Sequence, residues 1–204
     1  MNREKENRMI WTAILIFFAG VALGIFSKWL DTLALDEAIW WHRLLEVLDL
    51  GNFFSDMAIW LLLALAIALF SNTRTEAAGN VFLFFAGMCI AYHLFSVLFG
   101  GFNPLSYMMR WYLNTLISPL LALLCRYAKE EGILSLFLSA GILGVFLLSC
   151  FAIGWIYVDF RGVLYGIVFL AAVCLMYKNP KQLLISLLGG LLLAFLFSPY
   201  WPFK

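Results

Sequence analysis

The ionisable and hydrogen-bonding residues of this sequence fall into three short patterns that could do chemistry. Cys89, His93 and Ser96 recur at i, i+4 and i+7, one face of a helix. Arg110, Asn114 and Ser118 form a second stripe at i+4 spacing. Asp56, Asp159 and Arg161 place two carboxylates and a guanidinium at the ends of apolar runs. A guanidinium and an imidazole beside amide and hydroxyl groups suit an anionic group, or a small ligand carrying both donors and acceptors. Asp56, His93, Arg110, Asn114, Asp159 and Arg161 are therefore the candidate binding set. A structural reading of the same residues also stands. Asp56 in a first turn complements a helix dipole, Arg110 snorkels to an interface, Asp159 and Arg161 pair in water, and His93 is a satisfied interior hydrogen bonder.

Catalytic signatures are missing. There is no Gly-x-Ser-x-Gly, His-Glu-x-x-His, Cys-x-x-Cys or Walker motif. His42 and His93 are the only two histidines, so a zinc site would need carboxylates from distant helices, and no metal or cofactor is expected. Glu130-Glu131 beside Lys129 and Gly132 reads as a solvated turn. An intramembrane enzyme is the third functional reading, behind a binding protein and an accessory protein.

The elements that must position these residues follow from composition. The chain has 204 residues, of which 65% are hydrophobic, 18% aromatic and only 12% charged, with a mean hydropathy of +0.97. A soluble domain is about a quarter charged, so a soluble fold, a disordered chain and a disulfide-rich module are all excluded as defaults. A net charge of +1 supplies no field for a polyanion, so no nucleic acid is expected as a partner. The composition predicts an all-α, polytopic bundle of transmembrane helices in one domain over residues 1–204, with the lipid bilayer as its first partner.

Crossing about 30 Å of hydrocarbon takes about 20 apolar residues, so the gaps between charges locate the spans. Nineteen uncharged residues separate Arg8 from Lys28, and 27 separate Glu131 from Asp159. The 33 uncharged residues from Glu76 to Arg110 are too many for one span and contain the turn signal Gly100-Gly101-Phe102-Asn103-Pro104. The gaps predict seven helices, at 9–28, 54–70, 79–99, 107–127, 133–157, 162–177 and 183–198. The sixth is short, about 24 Å by helix rise, which keeps six spans open. The first begins like a signal peptide but lacks a small-x-small cleavage site, and it reads as a retained helix.

Lys and Arg near span ends set orientation. With the N-terminus inside, the inner segments carry eight such residues and the outer segments five, counting Lys204. The count predicts the N-terminus inside, and it places the candidate binding set in the outer half. Trp29, Trp111, Tyr112, Tyr127, Trp155, Tyr157, Tyr177, Tyr200 and Trp201 fall near predicted span ends, where amphipathic rings sit at headgroup level. The four cysteines each lie in a different predicted span and read as small apolar packers.

Residues 32–52 form the one sizeable loop, and Leu35–Leu48 reads as a short amphipathic helix. Ala38, Trp41, Leu44, Leu45 and Leu48 share its apolar face. It either rests on the outer leaflet, anchored by Trp40 and Trp41, or closes over a pocket as a lid. Gly51 is expected to break it and Ser55 to cap the next helix. Gly20-x-x-x-Gly24 and Gly162-x-x-x-Gly166 permit close helix approach, with Ala140-x-x-x-Gly144 and Gly190-x-x-x-Ala194 as weaker versions. They read mainly as packing within the bundle. The second reading of Gly20 and Gly24 is a surface for a membrane-protein partner or a homo-oligomer. Pro119 inside the fourth span removes one hydrogen bond and leaves the Thr115 carbonyl without its helical donor.

Asn80-Val-Phe-Leu-Phe-Phe-Ala-Gly-Met88, Asn103-Pro-Leu-Ser-Tyr-Met-Met109 and Ser118-Pro-Leu-Leu-Ala-Leu-Leu-Cys-Arg-Tyr-Ala-Lys129 resemble segments of small, uncharacterised multi-pass membrane proteins of Gram-positive bacteria. That resemblance implies a bacterial cytoplasmic membrane. A weaker one, of size and architecture, is to the substrate-binding membrane subunits of energy-coupling-factor vitamin transporters. Those are six-helix proteins with a small-residue face on the first helix, which Ala19, Gly20 and Gly24 match; seven helices depart from that pattern. The expected function is binding a small solute or lipid, or helping to move it, as part of a larger complex or alone.

Overall fold

The computed structural model describes residues 3–36, 38–154 and 157–201. Trp155 and Lys204, used above as a boundary aromatic and a topology charge, lie outside the described residues. In chain order the helices are α1 (Arg3–Thr32), α2 (Trp40–Val47), α3 (Leu50–Ser55), α4 (Met57–Phe70), α5 (Arg74–Leu98), α6 (Leu105–Ala128) and α7 (Ile133–Cys150). A hairpin of β1 (Phe151–Ile153) and β2 (Val158–Phe160) follows, then α8 (Val163–Met176) and α9 (Pro180–Phe197). Helices α1, α5, α6, α7 and α9, the last with its extension to Tyr200, are long and apolar enough to cross a membrane. This is an all-α helical membrane protein. Helices α4 and α8 have 14 residues each, about 21 Å by helix rise, and are shorter than a bilayer's hydrocarbon core.

Several boundaries differ from the sequence reading: the first span runs Arg3–Thr32 where 9–28 was expected, and the third Arg74–Leu98 where 79–99 was expected. The span expected at 133–157 ends at Cys150, because Phe151 turns to extended backbone (φ −125°, ψ 146°). Phe151 then pairs with Phe160, Ala152 with Asp159 and Ile153 with Val158. A gap between charges cannot tell a long helix from a shorter helix followed by a hairpin, since neither carries a charge before Asp159. The loop helix covers only Trp40–Val47, and Gly51 does not break it. Asp49 does, in the left-handed region at φ 50°, where a short polar side chain is tolerated. Gly51 lies inside α3, Ser55 is the last residue of α3, and Asp56 is the residue immediately before α4.

Local chemistry sets several helix ends. Thr73 Oγ1 accepts from Glu76 N at 3.1 Å and Glu76 Oε2 accepts from Asn72 N at 3.1 Å, a reciprocal cap at the start of α5. Asn179 Oδ1 accepts from Gln182 N at 2.9 Å ahead of Pro180, the first residue of α9. Basic side chains close C-terminal ends, where the dipole favours cations. Arg126 donates to Leu69 O at 2.9 Å, and Lys129 to Leu175 O at 2.8 Å and Tyr177 O at 3.1 Å. Lys178 in turn donates to Ser135 Oγ at 2.7 Å and to Glu130 O. Burial lowers the pKa of both lysines, and for Lys178 the nearby Lys129 charge adds to that.

The contacts of the chain form two compact units, Met1–Leu35 with Phe70–Leu123 and Asp36–Leu69 with Leu124–Lys204. In the first, Gly20 and Gly24 of α1 lie against α5. A methyl group on Gly24 would stand 2.5 Å from Met88 O, one on Gly20 would meet Phe84 O, and one on Gly87 would meet Phe17 O. Those glycines bring two backbones together within the chain. In the second unit the weaker motifs meet each other: a methyl on Gly190 would stand 2.9 Å from Ala140 O and one on Gly144 3.0 Å from Gly190 O. Gly162-x-x-x-Gly166 makes no such crossing, because Gly162 precedes α8 and Gly166 faces the Phe160 ring. All four cysteines are unpaired. Helix α6 continues through Pro119, and Ser118 Oγ donates to Thr115 O at 2.8 Å, serving the carbonyl that the proline leaves without its helical donor.

Candidate functional site

The six candidate residues divide between the two units. His93, Arg110 and Asn114 belong to the first; Asp56, Asp159 and Arg161 belong to the second.

In the first unit, α5 presents His93 and α6 presents Tyr112. The imidazole engages the Tyr112 hydroxyl through Nδ1 and Asn103 Oδ1 through Nε2 at 3.0 Å. An amide oxygen only accepts, so Nε2 is the donor to Asn103. One turn earlier on α5, Cys89 Sγ meets Thr115 Oγ1 at 3.3 Å. Ser96 donates to Tyr92 O at 2.8 Å, so it serves its own helix. Arg110 is exposed. Asn114 is half-buried, and its Nδ2 is shielded from solvent with no hydrogen-bond partner among the described residues. A shielded amide donor without an acceptor costs about 1–3 kcal/mol.

In the second unit Arg161 reaches back from the end of the hairpin to Asp56 at 2.7 Å. Tyr165 OH donates to the same Asp56 Oδ2 at 2.8 Å, Arg161 Nη1 donates to Ser149 O at 3.0 Å, and the guanidinium lies 5.0 Å over the Tyr165 ring. Each member of this cluster has found a partner inside the protein. Asp159 is exposed and accepts from Phe160 N, its chain neighbour, at 2.8 Å. It pairs with Ala152 on the hairpin and does not join Arg161.

One charged group escaped the sequence reading. Lys28, near the end of α1, is only 7% exposed. Its Nζ lies 3.6 Å from Asp31 Oδ2, 5.2 Å from the centre of the Tyr92 ring and 5.1 Å from that of Phe102. Tyr92 OH donates to Asp31 Oδ2 at 2.8 Å, and its ring lies 5.9 Å from that of Tyr107. The signal present in the sequence was the i, i+3 pair Lys28 and Asp31 with the aromatic-rich turn around Phe102. No group of three or more His, Cys, Asp or Glu side chains able to hold a metal occurs among the described residues. Helix α2 buries His42, whose Nδ1 accepts from Asp36 N at 2.8 Å, and leaves Trp40, Leu44 and Val47 exposed along one side. No protein-family model, curated protein or solved structure matches the chain.

Proposed function

We propose that this membrane protein binds a small polar solute or a lipid headgroup, or helps to move it, through the polar groups of its first unit. His93, Arg110 and Asn114 are the residues placed in contact with the ligand. The observation that carries the reading is the Asn114 amide, shielded and without an acceptor one turn from Arg110. Polar groups within a membrane are expensive and are kept mainly where they serve a pathway or a ligand. The proposal includes a bacterial cytoplasmic membrane with the N-terminus inside, which rests on the Lys and Arg count and the family resemblance.

The test is gentle purification into nanodiscs followed by native mass spectrometry. The expected result is a retained small molecule or lipid that is lost from Asn114→Ala and His93→Ala. A chain that carries nothing, or one that carries the same molecule in both variants, overturns the reading.

A second reading, an accessory protein that organises a membrane complex, draws on α1. Its contacts run to α5, while Trp11, Leu15 and Phe18 are 64%, 67% and 60% exposed. A stoichiometric protein that co-purifies and is released by Leu15→Lys supports that reading.

A further inference from the structure

Helices α7 and α9 of the second unit touch backbone to backbone where Ala140 and Gly144 face Gly190. Beside that contact, and on to the C-terminal ends of both helices, a half-open cavity of about 290 Å³ lies between them. Gly141 and Gly144 floor it, Leu148 and Phe197 wall it, and Tyr200 and Trp201 close its end. The floor has room for more: a methyl group on Gly141 would meet nothing within 4 Å. The lining is almost wholly apolar, so water finds no partners there and such a cavity stays dry. Left empty, it forfeits the dispersion contacts of every atom that lines it.

What fills it follows from where it sits. Helix α9 is long and apolar enough to cross a membrane. Leu192 and Leu196, each one position before the lining residues Leu193 and Phe197, are exposed. The cavity is thus continuous with the surface that α9 turns to the bilayer. In lipid, contact packing decides what occupies such a gap. Tyr200 and Trp201 follow the end of α9, where aromatic rings sit at headgroup level. From there the cavity follows the helices inward. Gly141 to Leu148 covers about 11 Å by helix rise, most of the roughly 15 Å of hydrocarbon in one leaflet. An apolar cavity of about 150 Å³ takes benzene, so one of about 290 Å³ holds roughly a dozen carbons. Those are the dimensions of one acyl chain. A transmembrane helix, about 10–12 Å across, is too wide to enter.

We propose that this cavity seats one acyl chain of a membrane phospholipid, with the headgroup beside Tyr200 and Trp201 and the bare Gly141 keeping the floor open. The site lies wholly in the second unit and uses none of His93, Arg110 and Asn114, so it goes beyond the reading above and stands apart from it.

The experiment is photo-labelling of the full chain in phosphatidylglycerol nanodiscs. A fraction of the lipid carries a diazirine midway along one acyl chain, and labelled residues are mapped by peptide mass spectrometry. Leu193 and Phe197 should take about fivefold more label than Leu192 and Leu196, which lie at the same depth outside the lining. Gly141→Leu fills the cavity from its floor and should erase that enrichment. Its melting temperature should stay within about 3 °C of wild type, because the new side chain enters open space. Leu188→Phe, outside the lining, should leave the enrichment intact, and so should Asn114→Ala, which separates this site from the first unit. Even labelling of the four α9 residues in the wild type overturns the acyl-chain site, whatever the variants do. So does an enrichment that survives Gly141→Leu in a folded protein. So does a cavity that takes no label because a second copy or another protein covers it, seen as a larger species by native mass spectrometry.

Discussion

The Lys28–Asp31–Tyr92 and Arg161–Asp56–Tyr165 clusters are built from the same chemical types, one in each unit. Each has a basic side chain over a tyrosine ring, at 5.2 Å and 5.0 Å, and each tyrosine hydroxyl donates to the aspartate Oδ2 at 2.8 Å. They differ in closure. The guanidinium is planar and forked, so it meets Asp56 and the Ser149 carbonyl together. The ammonium of Lys28 is a point charge held 3.6 Å from Asp31 on the same helix. Its short i, i+3 spacing keeps the pair on α1, while the rings come from α5 and the turn after it. The closed cluster ties the hairpin and α8 to the residue that precedes α4. The open one holds its ammonium 3.6 Å from a carboxylate on its own helix.

The largest effect should come from breaking the open cluster without touching it. Gly24→Leu puts a side chain into the Met88 carbonyl and separates α1, which carries Lys28 and Asp31, from α5, which carries Tyr92. We expect destabilisation of about 3 kcal/mol, read by unfolding in detergent. Arg161→Met comes next. It leaves Asp56 part-buried beside one tyrosine, and at 21–25% exposure the loss should be about 2 kcal/mol, at the lower side of what buried pairs show. Lys28→Met should cost far less, under about 0.5 kcal/mol, because no described residue accepts a hydrogen bond from Nζ and its ion pair is long, at 3.6 Å. Equal losses for Arg161→Met and Lys28→Met would erase the distinction. Tyr92→Phe and Tyr165→Phe should fall between Arg161→Met and Lys28→Met, about 1 kcal/mol each and alike, since both hydroxyls donate over the same distance.

Helix positions were legible in the sequence because charge gaps report what lipid tolerates. Helices α1, α5, α6, α7 and α9 overlap their expected spans, and even the short α8 lies within its own. The hairpin was not legible, since Phe151–Phe160 is as apolar as a helix end and strand pairing leaves no mark in a charge count. Asp56 and Arg161 stood out because they interrupt apolar runs, but their meeting is a contact 105 positions apart in the chain that no local pattern encodes. Lys28 was hidden by its position. A lysine at the end of a span reads as an anchor reaching for water, and only the fold places Tyr92 and Phe102 over it. The same holds for Asn114, whose i+4 stripe was visible while its missing acceptor was not.

Double-mutant cycles on the two ion pairs, measured by unfolding without added ligand, test the distinction most directly. The closed pair, cycled through Asp56→Asn and Arg161→Met, should show a coupling of about 2 kcal/mol. The open pair, cycled through Asp31→Asn and Lys28→Met, should show a coupling below about 0.5 kcal/mol, in keeping with its longer separation. Couplings of equal size would contradict the account, because they would make the two pairs energetically alike despite their different geometry.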